Sequence, residues 1–137
     1  MTDTTLPSRD QMRDTVERYL AAISDGTPDQ IADLYAPDAT VEDPAGTAPH
    51  EGRDAIVDFY RPLSVLDRRT RLKDFRATGY TAAFRFEVDV LVPGRCITTA
   101  PIDVMTFDAS GRITSMRAIW SSEDVHIQDT DQSKEAQ

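Results

Sequence analysis

The sequence predicts an α+β domain in which helices come first and a mostly antiparallel sheet then curls around them. Three observations carry that prediction. Apolar residues recur at helical spacing in three segments of the first 60 positions, the period changes to that of a strand from about Arg69 onward, and 137 residues suffice to bury one core.

Ser8 followed by Gln11 has the form of a capping box, and Met12, Val16, Tyr19, Leu20 and Ile23 recur on one face until Gly26 ends the first helix. Thr27, Pro28 and Gln30 repeat the start signal with proline at the first helical position. Ile31, Leu34 and Tyr35 supply the apolar side of this second helix, and Pro37 is expected to close it. Ala39, Val41 and Asp43 alternate as a short strand would, until Pro44 and Gly46 break the ladder. A third helix is expected from Arg53 to Tyr60, burying Ile56, Phe59 and Tyr60. Phe84, Phe86, Val88 and Val90 interleave with Arg85, Glu87 and Asp89, which is strand chemistry. Pro93 and Gly94 mark a turn, Cys96 to Phe107 reads as one further strand, and Arg112 to Ser121 returns after Ser110 and Gly111, giving an antiparallel meander.

Composition excludes several functions. Hydrophobic residues make up 39% and charged residues 28%, a globular balance. No apolar run approaches the roughly 20 residues that span a bilayer. A net charge of −9 argues against nucleic acid, whose phosphates are held by lysine and arginine. Arg68, Arg69, Arg71, Lys73 and Arg76 cluster locally and read as a solvated strand face. The amino terminus MTDTTLPSRD has neither the basic start nor the apolar stretch of a secretion signal, so a cytoplasmic location is expected. Cys96 is the only cysteine and reads as a small buried hydrophobe; His50 and His126 read as surface residues without metal-ligand spacing. Nucleotide-binding and serine-hydrolase motifs are absent.

Three polar residues stand where their surroundings are apolar or their position suggests a cavity. Asp103 shares its strand face with Ile97, Thr99, Met105 and Phe107, a setting that would keep a carboxyl neutral unless an arginine such as Arg117 pairs with it. Tyr19 lies on the apolar stripe of the first helix, where its ring packs into the core and its hydroxyl needs a partner or ligand. Asp43 ends a strand before a proline, a place for a turn former or for a side chain that reaches a ligand.

Arg18-Tyr19, the segment Ala39-Thr40-Val41-Glu42-Asp43-Pro44-Ala45-Gly46, Phe59-Tyr60, Pro101-Ile102-Asp103-Val104-Met105, Gly111-Arg112-Ile113 and Met116 through Trp120 together resemble the bacterial delta-5-3-ketosteroid isomerases. These are steroid delta-isomerases of the nuclear-transport-factor-two-like superfamily, and the resemblance runs from about Met12 to Ile127. It implies a SnoaL-like, cystatin-like cone: a conical, curved sheet around three N-terminal helices, with residues 1–127 as one domain and 128–137 as a polar tail. It also implies that Asp43 is the general base, Tyr19 the oxyanion-hole tyrosine and Asp103 a protonated carboxylic acid, an arrangement for which that family is known. Tyr35 and Tyr60 correspond to tyrosines that extend a hydrogen-bonded network behind Tyr19, and Phe59, Phe86, Val88, Met116 and Trp120 to positions lining the steroid cavity. No metal or cofactor is implied, the partner is a steroid, and a homodimer is expected. The segment Arg61 to Thr70 and the added amino-terminal residues depart from the family pattern. Other readings on the same fold are a polyketide cyclase or epoxide hydrolase, both also using an aspartate, and a non-catalytic ligand-binding module.

Overall fold

The computed structural model describes residues 6–130. Helix α1 spans Arg9–Asp25, α2 Pro28–Ala32 and α3 Arg53–Tyr60; strands β1 to β8 span Tyr35–Glu42, His50–Glu51, Asp67–Thr78, Thr81–Val92, Arg95–Thr99, Ile102–Phe107, Ile113–Ile119 and Val125–Asp129. A 3-10 turn over Arg61–Val65 links α3 to β3. The strands form one curved, unclosed sheet in the order β2-β1-β7-β6-β4-β5-β8, with β3 paired to the other edge of β4. The α+β architecture with three helices is as expected from the sequence.

Both capping boxes form. The Ser8 hydroxyl accepts from Gln11 N at 3.0 Å while Ser8 N donates to Gln11 Oε1 at 2.7 Å, and Thr27 and Gln30 do the same for α2. The second helix is shorter than its apolar spacing suggested. It ends at Ala32, Leu34 lies in the following turn, and Tyr35 opens β1. Pro37 therefore does not close a helix but sits inside β1, where the pairing with β7 is irregular between Tyr35 and Thr40 and a missing N–H costs no ladder bond.

Two features of the sheet differ from a simple meander. β1 pairs with β7 in parallel, because both strands enter from the same end of the cone, while the other pairs are antiparallel. The stretch from Cys96 to Phe107 is two strands, broken at Ala100-Pro101, since proline has no N–H to continue the ladder. β6 pairs with the first half of β4 and β5 with the second half, so one edge of β4 serves two strands in succession.

The inner face of the sheet closes on the apolar stripe of α1. Met12, Val16, Tyr19, Leu20 and Ile23 are buried against a core that includes Phe84, Met105, Ile113 and Met116. Burying such side chains contributes about 1.5–3 kcal/mol each. Ile56 and Tyr60 of α3 are buried as expected, but Phe59 is only partly so.

In the basic stretch Arg69, Arg71, Lys73 and Arg76 are exposed, as a solvated strand face would have them, and Arg68 is the exception. Arg68 is half-buried and donates to the carbonyls of Ile23, Gly26, Leu63 and Leu66. Arg69 and Arg71 pair with Asp89. Cys96 is partly exposed rather than buried. Gln128 and Asp129, whose composition placed them in a polar tail, belong to β8; residues 131–137 of that tail lie outside the described residues.

Candidate active site

A cavity of about 230 Å3 lies between α1, α3 and the inner face of the sheet, lined by Tyr19, Asp43, Tyr60, Phe86, Asp103 and Trp120 among others. A larger, open groove of about 650 Å3 lies on the far side of α1 among charged residues such as Arg9, Glu17 and Lys73. None of the candidate residues borders that groove. The chemistry belongs to the smaller space.

Asp103 is 1% exposed, on the buried side of β6 with Met105 and Phe107. Its register partners are Phe84 and Ala118, so both neighbouring strands present apolar side chains to it. The alternative of an Arg117 partner does not occur: Arg117 stands opposite Val104, on the other face, and pairs with Glu42. Asp103 Oδ1 is the one fully buried side-chain polar atom without a hydrogen-bond partner among the described residues. Burial, and secondarily the negative charge of Asp43, push its carboxyl well above the usual carboxylate range. A neutral acid with an unsatisfied oxygen is a hydrogen-bond donor in search of an acceptor.

Tyr19 is buried, with its ring edge-to-face against Phe84, the register neighbour of Asp103. Its hydroxyl lies 2.9 Å from that of Tyr60, which lies 2.8 Å from that of Tyr35. The three phenols form a chain in the order Tyr35, Tyr60, Tyr19. Burial raises all three well above the ordinary phenol value, so the chain is made of neutral donors.

Asp43 follows the end of β1 and is only partly buried. Trp120 Nε1 donates to its Oδ1 at 2.7 Å, leaving Oδ2 without a hydrogen-bond partner among the described residues. Burial raises its pKa above the ordinary aspartate value, while the Trp120 hydrogen bond and the nearby His50 imidazole pull the other way. His50 is not a plain surface residue: it sits in β2, half-buried, with its ring 4.7 Å from that of Phe59.

The structure thus gathers Tyr19, Asp43, Phe59, Tyr60, Phe86, Val88, Asp103 and Trp120 around one space. One expected lining residue is not there: Met116 is 1% exposed in the core. Tyr35 lies behind Tyr60 without bordering the cavity, the position of a residue in a network behind Tyr19. Ile23, Pro62, Leu63, Thr99, Pro101 and Ala118 line it without having been singled out as lining residues from the sequence. Pro62 and Leu63 come from the 3-10 turn in the segment that departs from the family pattern, so that segment forms part of the cavity wall.

The SnoaL-like domain model matches residues 16–116, which is most of the chain. The chain belongs to the SnoaL-like family. It is 47% identical over 117 residues to a steroid delta-isomerase of Nocardioides simplex, covering 85% of this chain and 95% of that protein. The resemblance to steroid delta-isomerases noted in the sequence is therefore borne out across nearly the whole length. A solved structure of SalBIII, an epoxide hydrolase/cyclase-like enzyme of pyran ring formation in the polyether salinomycin, superposes with a TM-score of 0.81 over 88% of this chain and 98% of that one. At 23% identity that likeness shows the shared cone and nothing of the chemistry.

Proposed function

We propose that this chain is a steroid delta-isomerase that moves the C5–C6 double bond of a 3-oxo-Δ5-steroid to C4–C5, with Asp43, Tyr19 and Asp103 as the catalytic residues. The single observation that carries the reading is the pairing, inside one cavity, of an unpartnered, buried Asp103 and the Tyr19 hydroxyl with an aspartate that keeps one oxygen free.

In this scheme the ketone oxygen O3 enters the deep end and accepts hydrogen bonds from Tyr19 and the protonated Asp103. Oδ2 of Asp43 takes a proton from C4, the electron pair shifts to give a dienolate with its charge on O3, and Asp43 returns a proton to C6. No atom is gained or lost, and the reaction needs neither metal nor redox partner. The donors are set before the charge develops, in a cavity poor in water, so they stabilise the dienolate more than the ketone. Tyr60 and Tyr35 donate in turn toward Tyr19 and keep its proton aimed at O3. The Trp120 N–H fixes the carboxylate of Asp43 and favours its ionised form. An arginine-bridged pair of acids, which epoxide hydrolysis would need, has no support here, because no arginine lines the cavity. The reading includes a cytoplasmic homodimer, in keeping with the resemblance and with Ile102 and Ile119, register partners left exposed on the outer face of the sheet.

The test follows ultraviolet absorbance as an unconjugated 5-ene-3-ketosteroid becomes a conjugated enone. Wild type should turn it over, and Asp43→Asn should lose at least about 10²–10⁴-fold in kcat, the contribution expected of a general base, while still binding a phenolic steroid. An Asp43→Asn variant with wild-type turnover would sink the assignment of the base.

A further inference from the structure

Of the side chains that line the cavity, Thr99 is the one hydrogen-bonding group that the proton-transfer scheme does not use. Tyr19, Tyr60 and Asp103 form the deep end, and Asp43 with Trp120 forms the base; the remainder are apolar apart from Thr99. Thr99 ends β5, where its neighbour Thr98 points to the outer face and donates to Asp89 at 2.6 Å. Alternation turns Thr99 inward, and its hydroxyl makes no side-chain hydrogen bond among the described residues.

The register gives its distance from the oxyanion site. Asp103 pairs with Phe84 and Thr99 with Val88, along the same edge of β4. Four residues of strand separate the two, ~13 Å at about 3.3 Å per residue, which is comparable to the length of a four-ring steroid nucleus. Phe86, between them on the same face of β4, lines the cavity wall that the rings would follow. The break at Pro101 lies between Thr99 and Asp103, where Phe86 N donates to Pro101 O at 3.3 Å, so β5 and β6 follow one edge of β4 in succession.

We infer that the Thr99 hydroxyl hydrogen-bonds an oxygen at the end of the steroid far from O3, making it a specificity residue for substrates oxygenated on the D ring. The inference rests on the steroid delta-isomerase reading. An O–H that meets water in the free cavity and a ligand oxygen in the complex contributes to binding without touching the proton transfer, so the effect falls on KM more than on kcat.

The test compares two probes, androst-5-ene-3,17-dione and its 17-deoxy analogue androst-5-en-3-one, with wild type, Thr99→Val and Thr99→Ser. Valine keeps the shape and removes the hydroxyl; serine keeps the hydroxyl. Wild type should prefer the dione by about 3- to 10-fold in kcat/KM, Thr99→Val should abolish that preference through KM, and Thr99→Ser should keep most of it. If Thr99→Val isomerises both probes with the wild-type ratio, the Thr99 inference fails while the isomerase reading stands. If wild type conjugates neither probe, both fail together.

Discussion

Asp89 and Asp103 lie on neighbouring strands of one sheet and are almost equally buried, at 4% and 1% exposure, yet their surroundings drive them in opposite directions. Asp89 projects from the outer face of β4, where Arg69 and Arg71 reach it from β3 and Thr98 from β5. Its carboxyl is held far below the usual range, chiefly by the Arg71 hydrogen bond. Asp103 projects from the inner face of β6, where no cation among the described residues lines the cavity and desolvation dominates. Burial alone therefore does not decide the charge of a carboxyl group. What decides it is the face of the strand, because the face determines whether a guanidinium can follow the acid out of water.

The largest effect expected from breaking this contrast is on turnover. Asp103→Leu removes a donor from the deep end and should cost on the order of 10²–10³ in kcat, whereas Asp103→Asn keeps an N–H donor and should retain far more. Equal losses in the two variants, measured as enone formation, would mean that Asp103 does not act as a neutral donor.

Stability against pH sharpens the same contrast, with opposite signs for the two acids. Asp89 has a depressed pKa, so below the ordinary aspartate value of about 3.9 the unfolded chain binds its proton first. Its contribution is present above that pH and is lost as the solution becomes more acid. Asp103 has a raised pKa, so above about pH 3.9 the folded state still holds a proton that the unfolded chain releases, and its presence costs stability as pH rises toward its folded pKa. Asp89→Asn should destabilise by about 1–2 kcal/mol at neutral pH, a modest figure because its arginines are largely solvated, with the deficit shrinking near pH 2–3. Asp103→Asn should match wild type near pH 3 and melt at a higher temperature than wild type at pH 7. Melting curves at both pH values check the pair, and a lower melting temperature for Asp103→Asn at pH 7 would contradict a protonated native acid.

The smallest effect concerns the phenol chain. Tyr35→Phe removes the outermost hydroxyl, which does not border the cavity, and should lower kcat only a few-fold, since Tyr60 still supports Tyr19. A loss as large as that of Asp103→Leu would show that the chain acts as one unit.

The first two helix starts were legible because a capping box is a contact between residues three apart, fully written in Ser8 with Gln11 and Thr27 with Gln30. Tyr19 and Asp103 were legible as anomalies, polar groups on otherwise apolar faces. The absence of a cation beside Asp103 was not, because it depends on where Arg117 points, and that follows from a register set by strand pairing. The Trp120 hydrogen bond to Asp43 spans 77 positions and left no local trace. The split of one apparent strand at Pro101 did have a local signal, the missing N–H, but apolar alternation on either side outweighed it. The short second helix shows the reverse error: the apolar spacing of Leu34 and Tyr35 suited a helix, and long-range pairing with β7 claimed Tyr35 for a strand.

The four carbonyls gathered by Arg68 set a boundary on how this protein can be re-engineered. The first helix carries no basic residue in its last turn, and a strand supplies the missing cation while also gripping the rim of the cavity. A planar five-donor fork can satisfy all four carbonyls at once; a lysine at the same place, with three donors on one nitrogen, could not. Widening the rim for a bulkier guest is thus tied to keeping the end of that helix in place. Diversity is best introduced at the outward-facing Ser64 and Val65, leaving the backbone at Leu63 and Leu66 aimed at the guanidinium.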